Sequence, residues 1–137
     1  WKKMGSKVDI MDAKKHDYIL AITSHMPHLI AYNIVKTTLN VQDKKESDVI
    51  KFSAGGLRDF TRIAASNPLM WRDIFIQNKK NTSNMIDDFI TSLEALKKAI
   101  ENEDKNKLEE IFSRTKKIRK EIIKAGQDVG KPDFGRE

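Results

Sequence analysis

Apolar residues recur along most of this chain at helical spacing, interrupted by polar connections. From Met85 onward Met85, Phe89, Leu93, Leu96 and Ile100 follow one another at intervals of four, four, three and four. That is the stripe of a helix with one covered face. Leu108, Ile111, Phe112, Ile118 and Ile122 form a second stripe, which predicts a last helix over Lys105 to Lys124. Asn67 followed by Pro68 reads as a cap with proline at the first helical position, opening a long helix that reaches about Asn102. The polar stretch Gln77 to Asn84 allows a bend within it. Core packing accounts for these stripes, so they carry no assigned chemistry.

The first half is patterned differently. A helix is predicted from about Asp12, its cap, to Leu39, with Pro27 kinking it. Between Ile19 and Val35 that helix is apolar on nearly every side, which calls for burial all round. One small domain hardly covers it, so the pattern argues for a dimer. Val41 to Ser47 reads as a loop, Asp48 to Phe52 as a short helical turn, and Leu57 to Ala65 as a helix stopped before Pro68. Lys7 to Met11 alternates polar and apolar residues as a strand does. From Gly126 the tail carries glycine and proline and no periodicity. The expected fold is therefore all-α: long helices, with at most one short orphan strand at the N-terminus.

Composition narrows the class. The 137 residues suit one domain with a moderate core, 39% apolar and 34% charged. No apolar run is long enough to span a membrane, and no secretory signal opens the chain. The chain has no cysteine, which excludes disulfides and fits a cytoplasmic protein. A net charge of +6 invites a nucleic-acid reading, but the lysines interleave with acids, as in LEALKKAIENEDKNKLEE. Such a surface is a solvated helical face more often than a binding stripe.

Two stretches carry candidate chemistry. FSAGGLRDFTRIAASNPLMWRDI, at 52 to 74, combines a glycine pair with arginines, an aspartate and a tryptophan. Gly55 and Gly56 permit close approach to the main chain and precede good helix formers. Asp59 and Arg62 are three apart, so they share a helix face, and an aspartate-held arginine is poised to exchange that partner for a ligand carboxylate. A surface ion pair of little consequence is the alternative, and it suits Arg58 and Arg72 better than Arg62, which sits among Phe60, Ile63 and Ala64. The second stretch, ITSHMPHLIAY at 22 to 32, places Ser24, His25, Pro27 and His28 inside an apolar helix. Taken alone, a buried and satisfied histidine is the better reading there. Zinc is poorer still, with no cysteine and no acidic residue between the histidines.

Together, TSHMPHLIAY and FSAGGLRDFTRIAASNPLMWRDIF resemble the C-terminal helical domain of prephenate dehydrogenases and their arogenate-using relatives, enzymes of tyrosine biosynthesis. The resemblance runs from about Trp1 to Ile123, with no departure at the motif positions. It implies that Arg62 binds a substrate carboxylate and that Asp59 restrains or gates it. It also implies that Gly55 touches the ligand through its backbone, Trp71 closes the pocket, and Ser24 and His28 face the substrate ring. Asp17 matches a position tied to domain arrangement. The family works as an intertwined homodimer with NAD or NADP, held mainly by an N-terminal domain whose glycine-rich turn and catalytic histidine have no counterpart in this sequence.

On that resemblance, residues 1 to 11 are expected to end the dinucleotide-binding domain, 12 to 124 to bind substrate and dimerise, and 125 to 137 to form a flexible tail. The chain is then one part of an oxidative decarboxylase of prephenate or arogenate, without nucleic-acid or membrane partners and inactive by itself. A stand-alone helical interaction or ligand-sensing domain without redox activity is the competing reading.

Overall fold

The computed structural model describes residues 1–6, 8–45 and 48–126, side chains at 43–45 excepted. Helices dominate, and among the described residues there is no strand. After a 3-10 turn over Lys2–Met4, helix α1 spans Ala13–Leu20, a π-helical turn Ala21–His25, and α2 Met26–Lys45. Helix α3 covers Gly55–Thr61 and runs into a 3-10 turn at Arg62–Ala65. Helices α4 (Pro68–Gln77), α5 (Lys79–Glu101) and α6 (Lys105–Lys124) follow. The backbone divides into two compact units, Trp1–Ile86 and Asp87 to the end of the described chain.

Local signals set most of these boundaries. The Asp12 carboxylate accepts from the backbone N–H groups of Lys14 and Lys15, which opens α1 where the sequence places its cap. Asn67 does the same for Leu69 and Met70, with Pro68 supplying the preset first turn of α4. Asp104 caps α6 through the Lys107 N–H.

The structure corrects the sequence reading at Val8 to Met11 and at Val41 to Lys45, and gives detail to it at Asp48 to Phe52 and at Asn78. Val8 to Met11 takes no regular structure, and the Lys7 at the start of that segment lies outside the described residues. A lone alternating segment has no neighbour to take its ladder hydrogen bonds, and Ile10 is 97% exposed. Val41 to Lys45 continues α2 instead of forming a loop, because Asn40 to Lys45 contains neither glycine nor proline to stop a helix. Over Asp48 to Phe52 the chain makes turns, closed by the Phe52 N–H on the Asp48 carbonyl. The expected bend between Gln77 and Asn84 is a single-residue break at Asn78, after which the helix resumes.

The first long helical run has one covered side. Ala21, His25, Met26 and Ala31 are buried, whereas Ile22 and Leu39 are 51% and 44% exposed. Burial all round therefore does not hold within one chain. Against the covered side, α2 packs on α3 and on the 3-10 turn that follows it. The Tyr32 hydroxyl donates to the Ser66 carbonyl at 2.9 Å and pins the end of that turn to α2.

The second unit holds the end of α5, joined by a tight turn to α6. That turn is a Schellman closure: the Asp104 N–H donates to the Ala99 carbonyl and the Glu103 N–H to the Ile100 carbonyl. The left-handed position is held by Glu103 at φ 51°, where glycine is the unstrained choice. Glu103→Gly is expected to stabilise the chain by about 0.5–1 kcal/mol, the relief of left-handed strain less the added freedom of the unfolded chain. Glu103→Ala should give no such gain in the same urea titration.

Candidate functional site

The π-helical turn is how the chain accommodates Pro27. A proline lacks the N–H that would close on the carbonyl four residues back, and its ring crowds that carbonyl. Widening the helix by one residue relieves the clash, and the Met26 N–H closes on Ala21 five residues back. The added residue rotates the following side chains. His25 turns inward and is 7% exposed, while Ser24 and His28 stay half-buried.

Helix α4 meets this turn with two aromatic rings. Trp71 is buried and lies flat on His28, with ring centroids 3.7 Å apart and planes 23° from parallel. His25 stands edge-on to Trp71 and to Phe75, at 6.1 and 6.4 Å. The Trp71 indole N–H is buried without an acceptor among the described residues, which leaves one unspent donor in the cluster.

Hydrogen-bond chemistry assigns the histidine tautomers. His28 Nδ1 lies 3.0 Å from the Ser24 carbonyl, which can only accept, so His28 carries its proton on Nδ1. His25 Nδ1 lies 3.3 Å from the Asn78 carboxamide nitrogen, which can only donate, so Nδ1 of His25 is the acceptor. Asn78 is itself buried and donates at 2.7 Å to the Asp17 carbonyl, tying the break between α4 and α5 to helix α1. The Asp17 carboxylate is exposed and pairs with His16 at 3.1 Å.

The arginine stretch builds a second feature. A cavity of about 610 Å³ is lined by Val35, Leu39, Ile50 and Leu57, with Arg58, Asp59 and Arg62 supplying charge. Asp59 accepts from the Arg58 Nε at 3.4 Å, not from Arg62. Side-chain rotation about one turn of α3 decides this choice, which the three-residue spacing alone left to Arg62. The Arg62 guanidinium is exposed and has no ion pair or hydrogen bond among the described residues. Gly55 and Gly56 open α3 at negative φ and make no use of glycine's left-handed freedom. A Cβ at Gly55 would sit 3.8 Å from the Arg58 side chain, and one at Gly56 would meet nothing, so what the pair leaves is open space beside the main chain.

Within one chain, then, Ser24, His28 and Trp71 come together, and Asp59 and Arg62 share the cavity. That cavity is not lined by Ser24, His28 or Trp71. The expectation of a buried, hydrogen-bonded histidine in this stretch holds for His25, but sequence reasoning assigned no role beside it to Asn78 or Phe75. Their one legible signal was the polar interruption after Gln77. Among the described residues no group of histidines and acids could hold a metal ion.

Burial holds the His25 pKa below its ordinary value of 6.5; the Asp17 carboxylate opposes this in part, and His16 and His28 reinforce it. A histidine with a depressed folded pKa binds fewer protons folded than unfolded. Stability is therefore full above 6.5 and falls as the pH drops from there through the folded value. Thermal melts from about pH 8 to about pH 5 should show a Tm that declines over that window, a slope that His25→Gln flattens.

Comparison with known proteins places this geometry. Residues 12–114 match the family described as prephenate dehydrogenase, dimerization domain. A cyclohexadienyl dehydrogenase of Zymomonas mobilis is 38% identical over 129 residues, covering 94% of this chain and 44% of that protein. A prephenate dehydrogenase of Bacillus subtilis is 36% identical over 109 residues, covering 80% of this chain and 29% of that one. Among solved structures, prephenate dehydrogenase from A. aeolicus in complex with hydroxyphenyl propionate and NAD+ superposes with a TM-score of 0.82 at 41% identity, over 89% of this chain and 42% of its own. The chain thus spans less than half the length of the relatives it matches. With three quarters of its length matched to the family and the same helical fold in solved members, the chain belongs to the prephenate dehydrogenase dimerization-domain family.

Proposed function

We propose that this chain is the substrate-binding and dimerising part of a nicotinamide-dependent dehydrogenase that oxidatively decarboxylates prephenate or arogenate in cytoplasmic tyrosine biosynthesis. The observation that carries the reading is the Arg62 guanidinium, on the lining of a largely apolar cavity and without an ion-pair partner among the described residues. A planar cation in that position takes a carboxylate through two parallel charge-assisted bonds. Arg62 anchors the substrate, Asp59 stands beside it as the competing anion, and Gly55 leaves its backbone accessible. Ser24 and His28 face the substrate ring, Trp71 closes over it, and Asp17 ties the domain arrangement. In this reading residues 1 to 11 end the cofactor-binding domain, 12 to 124 form the helical domain, and 125 to 137 form a tail, of which 127 to 137 lie outside the described residues.

The residues present do not fit a dinucleotide. The sequence has no glycine-rich turn following a strand, and the described chain has no strand to carry one. NAD or NADP is therefore held elsewhere in the longer protein, and no hydride or proton step is assigned to these residues. Their share is to bind and orient. The A. aeolicus relative is solved in complex with NAD+ and hydroxyphenyl propionate, an aromatic carboxylate of the class Arg62 would take.

Homodimerisation is part of the proposal. Leu93, Ile100 and Phe112 on α5 and α6 are each more than half exposed, and Ile22, Val35 and Leu39 leave an uncovered apolar side on the first long helical run. Two helices with that much bare apolar surface need a partner. A second protomer also gives the two groups of site residues, Arg62 with Asp59 and His28 with Trp71, a way to face one shared cleft.

Two outcomes test this. In the full-length enzyme, Arg62→Ala is expected to raise the KM for prephenate about 10- to 100-fold, the loss of one charge-assisted pair, with kcat little changed. An unaltered KM removes Arg62 from the site. The 137-residue chain should sediment as a dimer and show no dehydrogenase activity with prephenate and either nicotinamide cofactor. A monomer, or turnover by the chain alone, refutes the assignment.

A further inference from the structure

We propose that Asn78 is a positioning residue of this site: its carboxamide, oriented by the Asp17 carbonyl, locks His25 as the tautomer protonated on Nε2. As a statement about the ring pocket this rests on the reading above, but the lock itself stands on geometry alone. Three contacts establish it. The Asn78 Nδ2 lies 2.7 Å from the Asp17 carbonyl oxygen, and its Oδ1 accepts from the Asn81 Nδ2 at 2.8 Å. Turning the amide over would set its oxygen against the Asp17 carbonyl, two acceptors face to face. The amide orientation is therefore fixed, and it is the NH2 that lies 3.3 Å from His25 Nδ1.

A donor in that place excludes a proton on Nδ1. His25 keeps its lone pair towards Asn78, and the one N–H it can offer is at Nε2. His28 is held the other way, with Nδ1–H on the Ser24 carbonyl and its lone pair on Nε2. Two histidines three residues apart are thus set as opposite tautomers, one a donor and the other an acceptor at Nε2. Burial of both partners makes the arrangement firm, since His25 is 7% and Asn78 8% exposed. The groups that face His25 from neighbouring elements are Trp71 and Phe75 on α4, Asp17 and His16 on α1 and His28 on α2. None of them makes a hydrogen bond to Nδ1 that competes with the one donated by Asn78. The position also explains the break between α4 and α5: with φ −103° and ψ 32°, Asn78 leaves the helical path at the residue whose side chain must reach back to α1.

The consequence for the proposed enzyme is that His25 acts as a fixed hydrogen-bond donor and never as a base. Protonating it at Nδ1 breaks the contact with Asn78.

The test is long-range 15N–1H correlation spectroscopy on histidine-labelled full-length protein. The wild type is expected to show His25 with an unprotonated Nδ1 and a protonated Nε2, and His28 with the reverse. In Asn78→Asp the carboxylate can accept from Nδ1, so the His25 proton should move there and its titration midpoint should rise. A wild-type His25 protonated on Nδ1 overturns the proposal, as does an Asn78→Asp variant whose His25 keeps its tautomer and midpoint. A simple loss of packing would lower the Tm without moving the proton, so the spectrum separates positioning from support. Where the variant does not fold, the wild-type spectrum decides alone. Calorimetry with prephenate reads the substrate assignment separately, because the tautomers are set in the unliganded protein.

Discussion

The helix at Ala21–His25 cannot be regular, because Pro27 follows it. That constraint shapes the rest of the first unit. One inserted residue widens the turn, and the rotation it imposes brings His25 under Trp71 and Phe75 and leaves Ser24 and His28 at the edge. A regular helix would carry His25 elsewhere on its circumference, and Asn78 would have no imidazole to meet. The stacking of His28 on Trp71 is set by the same turn, since both histidines take their direction from it.

Around this point the unit is held by a few contacts distant in sequence. Asn78 joins α4 to α1, and Tyr32 joins α2 to the 3-10 turn at Arg62–Ala65. Each carries a buried or half-buried polar group to a backbone carbonyl, the kind of bond whose loss leaves a costly unsatisfied partner, about 1–3 kcal/mol. The surface ion pairs, among them Arg58–Asp59 and Lys97–Glu101, lie in water and contribute far less. What positions the arginine segment is thus the packing of α3 and its 3-10 turn on α2, together with one tyrosine hydroxyl, and not its charges.

The side chains of the candidate site and its surroundings fall into two kinds. Trp71, His28 and His25 are rigid: stacked, buried or hydrogen-bonded, with tautomers fixed by their partners. Arg62 is exposed, on the lining of an apolar cavity, with its charge uncommitted among the described residues. On the proposed reading, a rigid aromatic wall and an uncommitted cation are what recognition of a ring-bearing carboxylate asks for, and a second protomer would bring them to one cleft. The bare apolar surface of α5, α6 and the first long helical run supports the same reading on independent grounds.

Helix content, the caps at Asp12 and Asn67, the extent of α6 and the two motif stretches were all legible in the order of residues. These depend on interactions within a turn or two of chain, where spacing fixes geometry. Three things were not legible. The π-helical turn depends on how the chain accommodates a proline clash, which admits a kink or a bulge with equal economy. The partner of Asp59 depends on a rotamer, so a shared helix face could not choose between Arg58 and Arg62. The bonds from Asn78 to Asp17 and His25 span 61 and 53 positions, and only the tertiary packing of the α4–α5 break on α1 and the π-helical turn brings those groups within 3.3 Å. Sequence by itself determined which residues could do chemistry; the tertiary structure decided which of them meet, because hydrogen bonds reach about 3 Å and the chain between them does not.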